Sequence, residues 1–290
     1  MPEPIKVLNA GIAMYELANS YRDDRQASES IFFYDTAIQL LAAARINLQG
    51  CMYFDRAIAH DLCGDLDKGM ADFQSALAKF CQFLDAEPND PVAANFATLA
   101  QQTKEQIKAR ENISANRSNY TQAINPTCWN HDAMPISVYI DESATSGFAE
   151  NFRELIWRQA TQWFSKNVLT ATLEHDAEQA NVIVRRIVDP NLVPLNAGAR
   201  TIYEQDNGAL TKVEVLILCN SPNADDLNFQ QMRNMSVLIL HEFGHACGLD
   251  GHSPFGNDVM YWKSQSEKLS SRDVETLALA YEHRSVEKPR

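Results

Sequence analysis

From about residue 4 to residue 110, apolar positions recur at helical spacing and almost never alternate as strands do. Glycines and prolines fall between the apolar segments, so this half is expected to be all helix. Beyond residue 128 the pattern changes. Residues 135–141, PISVYID, alternate apolar and polar, and residues 148–168 follow as an amphipathic helix with Phe152, Leu155, Ile156, Trp163 and Phe164 on one face. Further strands are expected at 180–188, 199–204 and 212–219, and a second long helix at about 229–248. A strand, a helix, several strands and a helix predict an α+β domain with a mixed, mostly parallel sheet carrying its helices on one side. Residues 111–128 are polar, aperiodic and contain Asn125-Pro126, which reads as a linker between a domain at 1–110 and one at 129–290.

The helical half repeats. Ala18 and Ala57, Tyr34 and Phe73, and Ala37 and Ala76 are each 39 positions apart. Small residues where helices would cross, with aromatics one turn away, suit stacked helical hairpins. The arrangement resembles the tetratricopeptide repeat, whose period is about 34; a plain bundle with Ala-rich core faces is the alternative. A fifth helix at about 91–110 would cap the stack with the polar run Gln101-Gln102-Thr103-Lys104-Glu105 outward.

Composition narrows the partners. The chain has 290 residues with a net charge of −13, from 38 acidic and 25 basic side chains. Counting from the sequence, positions 1–125 carry 11 basic and 16 acidic residues (−5), and positions 126–290 carry 14 and 22 (−8). Neither half has the basic excess that a nucleic-acid or anionic-membrane surface needs. The start lacks the character of a signal peptide and no uninterrupted apolar run is long enough to span a bilayer, so a cytoplasmic location is expected. The six cysteines form no CxxC pair and read as reduced thiols.

The chemistry concentrates in the last long helix, at His241-Glu242-Phe243-Gly244-His245. Histidines at i and i+4 project from one helix face and can grip one metal ion, with Glu242 beside them at the open coordination position. The continuation is ACGLDGHS, with Met260 in the later Asp258-Val259-Met260-Tyr261. Gly248 can take the left-handed conformation that ends the helix and brings a third ligand round. His252 and Asp250 are the candidates for it. A closed structural site, completed by Asp250 or Cys247, is the plainer reading of the same histidines.

These residues resemble the metzincin clan of zinc endopeptidases, and within it the matrixins, whose pattern is HExxHxxGxxH followed by a methionine turn. Three residues, Leu249, Asp250 and Gly251, stand here where the family has two, which reads as one inserted glycine. Likeness extends over about 129–284, from Trp129 and Met134-Pro135-Ile136 to the final helix at 269–277. The resemblance implies one catalytic zinc held by His241, His245 and His252, with Glu242 as general base. It also implies Met260 as an apolar floor beneath the histidines, and Tyr261 and Trp262 lining the substrate's side-chain pocket. The acidic calcium loops and the histidine and aspartate cluster that hold extra ions in animal matrixins are absent, so no structural calcium or second zinc is expected. Strand 212–219 is the candidate edge for an extended substrate. Cys128 is considered as an inhibitory thiolate at the metal, and His60, His131, His175 and His283 as surface or capping residues.

The functional expectation is a zinc-dependent endopeptidase acting on a peptide or protein substrate, with the helical half recruiting a protein partner or substrate. The alternative is an interaction module whose metzincin domain is degenerate, for which Gly251 is the sequence support. In a third reading the helical half covers the cleft as an inhibitory segment.

Overall fold

The computed structural model describes residues 4–42, 46–111, 113, 118–164, 168–194 and 197–286. The chain divides into two compact units, residues 1–113 with 254–257, and residues 114–253 with 258–290.

The first unit holds α1 (Pro4–Asp23), α2 (Ala27–Leu40), α3 (Ile46–Leu62), α4 (Leu66–Ala86) and α5 (Ala93–Glu111). Each helix packs on the next in sequence, most extensively α1 on α2 and α3 on α4. The repeated positions are the buried ones: Ala18, Tyr34, Ala37, Ala57, Phe73 and Ala76 are all fully inaccessible. Small side chains at these places let helix axes approach while the aromatics fill the gaps between turns. The α5 helix departs from expectation, because Thr103 is buried rather than outward, together with Gln106 and Arg110. This polar face turns inward with its charges paired. The Arg110 guanidinium pairs with the buried Asp61 carboxylate, donates to Gln106, and lies 4.6 Å from the centre of the Phe73 ring. Hydrophobic periodicity does not register such a face. Likewise His60 is not a surface residue: it is buried, 3.8 Å from Asp72.

The second unit contains β1 (Ile136–Ile140), α6 (Glu150–Phe164), β2 (Ala171–Glu174), β3 (Val182–Ile187), β4 (Ala199–Asp206), β5 (Ala209–Leu218), α7 (Phe229–Ala246) and α8 (Ser271–Val286). Its five strands form one sheet in the order β2-β1-β3-β5-β4. Every neighbouring pair is parallel except β4 with β5, which are joined by a hairpin through Asn207-Gly208. The expected α6 face is buried at all five named positions. This helix packs on α7, which lies against β4 and β5. Trp163 reaches across to donate its indole N–H to the Leu240 carbonyl at 2.8 Å.

One expectation is corrected. Strand 212–219 is not an edge, because β5 is paired on both sides, to β3 and to β4. Its apolar character follows from that interior place. The edge beside α7 is β4, whose outward residues Arg200 and Glu204 are exposed. No helix among the described residues is long and apolar enough to cross a membrane.

Candidate metal centre

The α7 helix starts with a reciprocal cap, the Asn228 side chain accepting from the Gln231 amide and the Gln231 side chain from the Asn228 amide, both at 2.9 Å. It ends at Cys247, and Gly248 follows with φ +94°. A side chain there would collide with the Thr127 carbonyl oxygen, so both conformation and space demand glycine. The chain turns back through Gly251, at φ +109°, and delivers His252 to the other two histidines.

His241, His245 and His252 come together with their nearest ligand atoms all within 4.8 Å of one another. Their ring centres are 4.8 Å apart for His241 and His245, and 5.3 Å from each of these to His252. Asp250, the rival, is exposed and outside the cluster. His241 Nδ1 lies 2.7 Å from the Val259 carbonyl and His245 Nδ1 lies 2.8 Å from the Leu249 carbonyl. A carbonyl can only accept, so both Nδ1 atoms carry a proton, which leaves Nε2 as the atom each ring can offer to a metal. Burial, with His245 alongside, pushes the His241 imidazole down to about 3, and burial pushes His252 down well below the usual histidine range. Neutral imidazoles are what a divalent cation requires. Among the described residues the group offers three nitrogens and no fourth protein ligand. That donor set can hold a divalent metal ion.

Glu242 is buried at 7% exposure on the same helix, and its Oε2 accepts a hydrogen bond from the Thr201 hydroxyl at 2.5 Å. Thr201 sits on β4, opposite Val215 of β5. Tyr203, two residues along that strand, has its phenol pushed up by burial and by the nearby Asp250 and Glu242 carboxylates.

Met260 is fully buried, and a Cβ at Gly244 would collide with its sulfur and stand 2.8 Å from Trp163 Cζ2. Glycine between the two ligand histidines is thus the space into which Met260 and Trp163 pack. Alanine is worth about 1 kcal/mol over glycine inside a helix, but overpacking costs about 1–3 kcal/mol. Gly244→Ala is therefore expected to lower the denaturant midpoint; an unchanged or raised midpoint would show that Met260 moves aside at no cost.

The turn that carries Met260 is held through Asp273, whose carboxylate accepts from the amides of Val259 (3.0 Å), Met260 (3.4 Å) and Ser270 (2.8 Å), and from the Tyr120 hydroxyl (2.7 Å). Asp258 pairs with Arg272 at 2.8 Å and accepts from Ser253, the residue after His252, at 2.6 Å. Tyr261 is fully buried, edge-on to the half-buried Trp262, over which the Lys263 ammonium lies at 5.1 Å.

Sequence reasoning missed a strap. The last part of the stretch read as linker belongs to the second unit and runs along the ligand-bearing turn. The Asn125 amide donates to the Asp250 carbonyl at 2.7 Å, the Thr127 amide donates to the Gly248 carbonyl at 2.8 Å, and Ile124 bridges Gly251 antiparallel. Trp129 donates its indole N–H to the Ala246 carbonyl at 2.8 Å, and Tyr281 donates to the Cys247 carbonyl at 2.9 Å. Cys128 is not the inhibitory thiolate considered from the sequence: it is buried and directs its sulfur to the Ala280 carbonyl. Asn125→Pro deletes the amide that holds Asp250, and Ile124 already has the extended conformation (φ −123°, ψ 166°) that a following proline demands. Loss of such an outer support is expected to weaken metal binding about 10-fold, read by competition with a chelating dye. Unchanged affinity would mean that the turn holds its shape alone. His131 and His175 are exposed, as expected, while the side chain of His283 lies outside the described residues.

In comparisons with known proteins, no family model matches this chain and no curated protein matches it.

Proposed function

We propose that the second unit is a zinc-dependent endopeptidase of metzincin type, related in its site to the matrixins. The observation that carries this reading is the convergence of His241, His245 and His252, two of them held through Nδ1 by backbone carbonyls, beside the buried Glu242 of the helix that bears that pair. A zinc ion would be held by His241, His245 and His252, where it would supply the Lewis acidity that activates water and polarises the scissile carbonyl. Glu242 accepts the proton of the attacking water and passes it to the leaving amine. His241 and His245 keep their orientation through the Val259 and Leu249 carbonyls, and Met260 forms the apolar floor against Gly244. An extended peptide would add along β4, which ends the sheet on the α7 side, so that main-chain pairing binds substrates with little demand on sequence. Tyr261 and Trp262 stand next to Met260 in the chain as the candidate wall of the side-chain pocket.

Gly251, the support for a degenerate domain, has a geometric account: the extra residue occupies a positive-φ position bridged to Ile124, with His252 still in the cluster. In the first unit, the buried small and aromatic positions at a constant 39-residue interval support tetratricopeptide-like hairpins that recruit a protein substrate or partner. The test of the enzymatic reading is digestion of a peptide library by the full chain, with zinc and with chelator. Cleavage that chelator stops and zinc restores is the expected result. One bound zinc with no cleavage of any peptide would favour the interaction module.

A further inference from the structure

Thr201 is a β-branched residue on an edge strand, and nothing in the sequence marks it. In the fold, β4 places it on the inward side together with Ala199 and Tyr203, while Arg200 and Glu204 face solvent. Its hydroxyl stands 2.5 Å from Glu242 Oε2, and no other hydrogen bond to the Glu242 carboxylate is found among the described residues. A buried carboxylate without a donor is costly, and a hydroxyl is the smallest group that supplies one without bringing a charge.

We infer that Thr201 is the positioning residue for the general base. Its hydroxyl engages Oε2 and fixes the rotamer of Glu242, leaving Oε1 as the oxygen that takes the proton of the attacking water. The inference rests on the endopeptidase reading of the site. Because Thr201 lies on the strand proposed to pair with substrate, one strand would present the peptide and hold the base in register with it. Such coupling shortens the search for a reactive geometry, since both partners of the proton transfer are referenced to one backbone. A carboxylate held by a fixed donor also needs no reorganisation as the proton arrives.

Two variants separate this role from packing. Thr201→Val keeps the shape and removes the hydroxyl; Thr201→Ser keeps the hydroxyl and removes a methyl group. In the zinc-loaded full chain, T201V is expected to lower kcat about 10–100-fold with KM unchanged, as loss of an outer-shell partner does, and T201S to recover most of that loss. In an E242Q background T201V should have no further effect on kcat. A second readout needs neither zinc nor turnover: the Glu242 carboxyl carbon resonance, assigned by its disappearance in E242Q, shifts in T201V and stays near its place in T201S. Equal kcat for T201V and the parent overturns the inference while leaving the endopeptidase reading intact. So does a T201S variant as impaired as T201V, which would mark a packing role. Absence of hydrolysis by the parent chain overturns the endopeptidase reading and the catalytic role of Thr201 together. The carboxyl resonance then shows whether the hydrogen bond exists as a structural one.

Discussion

Glu242→Gln is expected to lower peptide hydrolysis by roughly 100- to 10,000-fold, the usual worth of a positioned acid–base group, while the chain still takes up one zinc ion. Glutamine keeps the size of the side chain and an oxygen that can accept the Thr201 hydroxyl, so the helix and the histidine cluster have no reason to change. What is lost is the ability to hold a proton between attack and departure of the amine. Initial rates on a fluorogenic peptide, paired with metal analysis of the same preparation, give both quantities. A variant that hydrolyses as fast as the parent would remove Glu242 from the mechanism. A variant that loses zinc as well would show that the carboxylate shapes the ligand set, and the rate would then carry no information on proton transfer.

The second large effect concerns the turn. His252→Ala is expected to weaken zinc binding by more than the roughly 10–100-fold typical of an outer-shell partner, and to abolish hydrolysis with it. Asp250→Ala should leave zinc affinity unchanged, because that side chain is exposed and outside the cluster. The pair of variants, read by competition with a chelator of known affinity, decides between the two residues that the spacing alone leaves open. The reverse result, with Asp250 indispensable and His252 dispensable, would mean that the turn rearranges on metal binding. The comparison is sensitive because removing one of three ligands leaves two on a single helix, too few to enclose a zinc ion.

Much of this could be read in advance where side-chain pattern and structure share a cause. The α6 stripe of Phe152, Leu155, Ile156, Trp163 and Phe164 is apolar because it is buried, and so it was visible. The strands β1, β3 and β5 show the same logic. The failures are equally physical. The strand β2 is four residues long and lies at the sheet edge with no fully buried position, so it leaves no apolar signature. β5 looks like a good strand because it is interior, which is why it was mistaken for the substrate edge; β4 is polar because it is the edge. The strap at 124–127 works through backbone amides and carbonyls, which no side-chain pattern records. Thr201 and Asp273 act through single polar atoms whose partners are 41 and up to 153 residues away in sequence.

Those long separations bear on how the second unit assembles. Its first residues and its last helix are bonded to each other, Tyr120 to Asp273 and Thr276, and Trp129 to Tyr281, across 152 to 156 positions. Contacts of that span close late, because the loop entropy between them must be overcome before any of them stabilises the chain. On a ribosome the three histidines emerge before the helix whose Asp273 clamps the turn that carries Met260. The order of synthesis thus makes the histidine cluster the last part of the unit to acquire its final shape, so a nascent chain carries all three imidazoles before the turn beneath them is fixed.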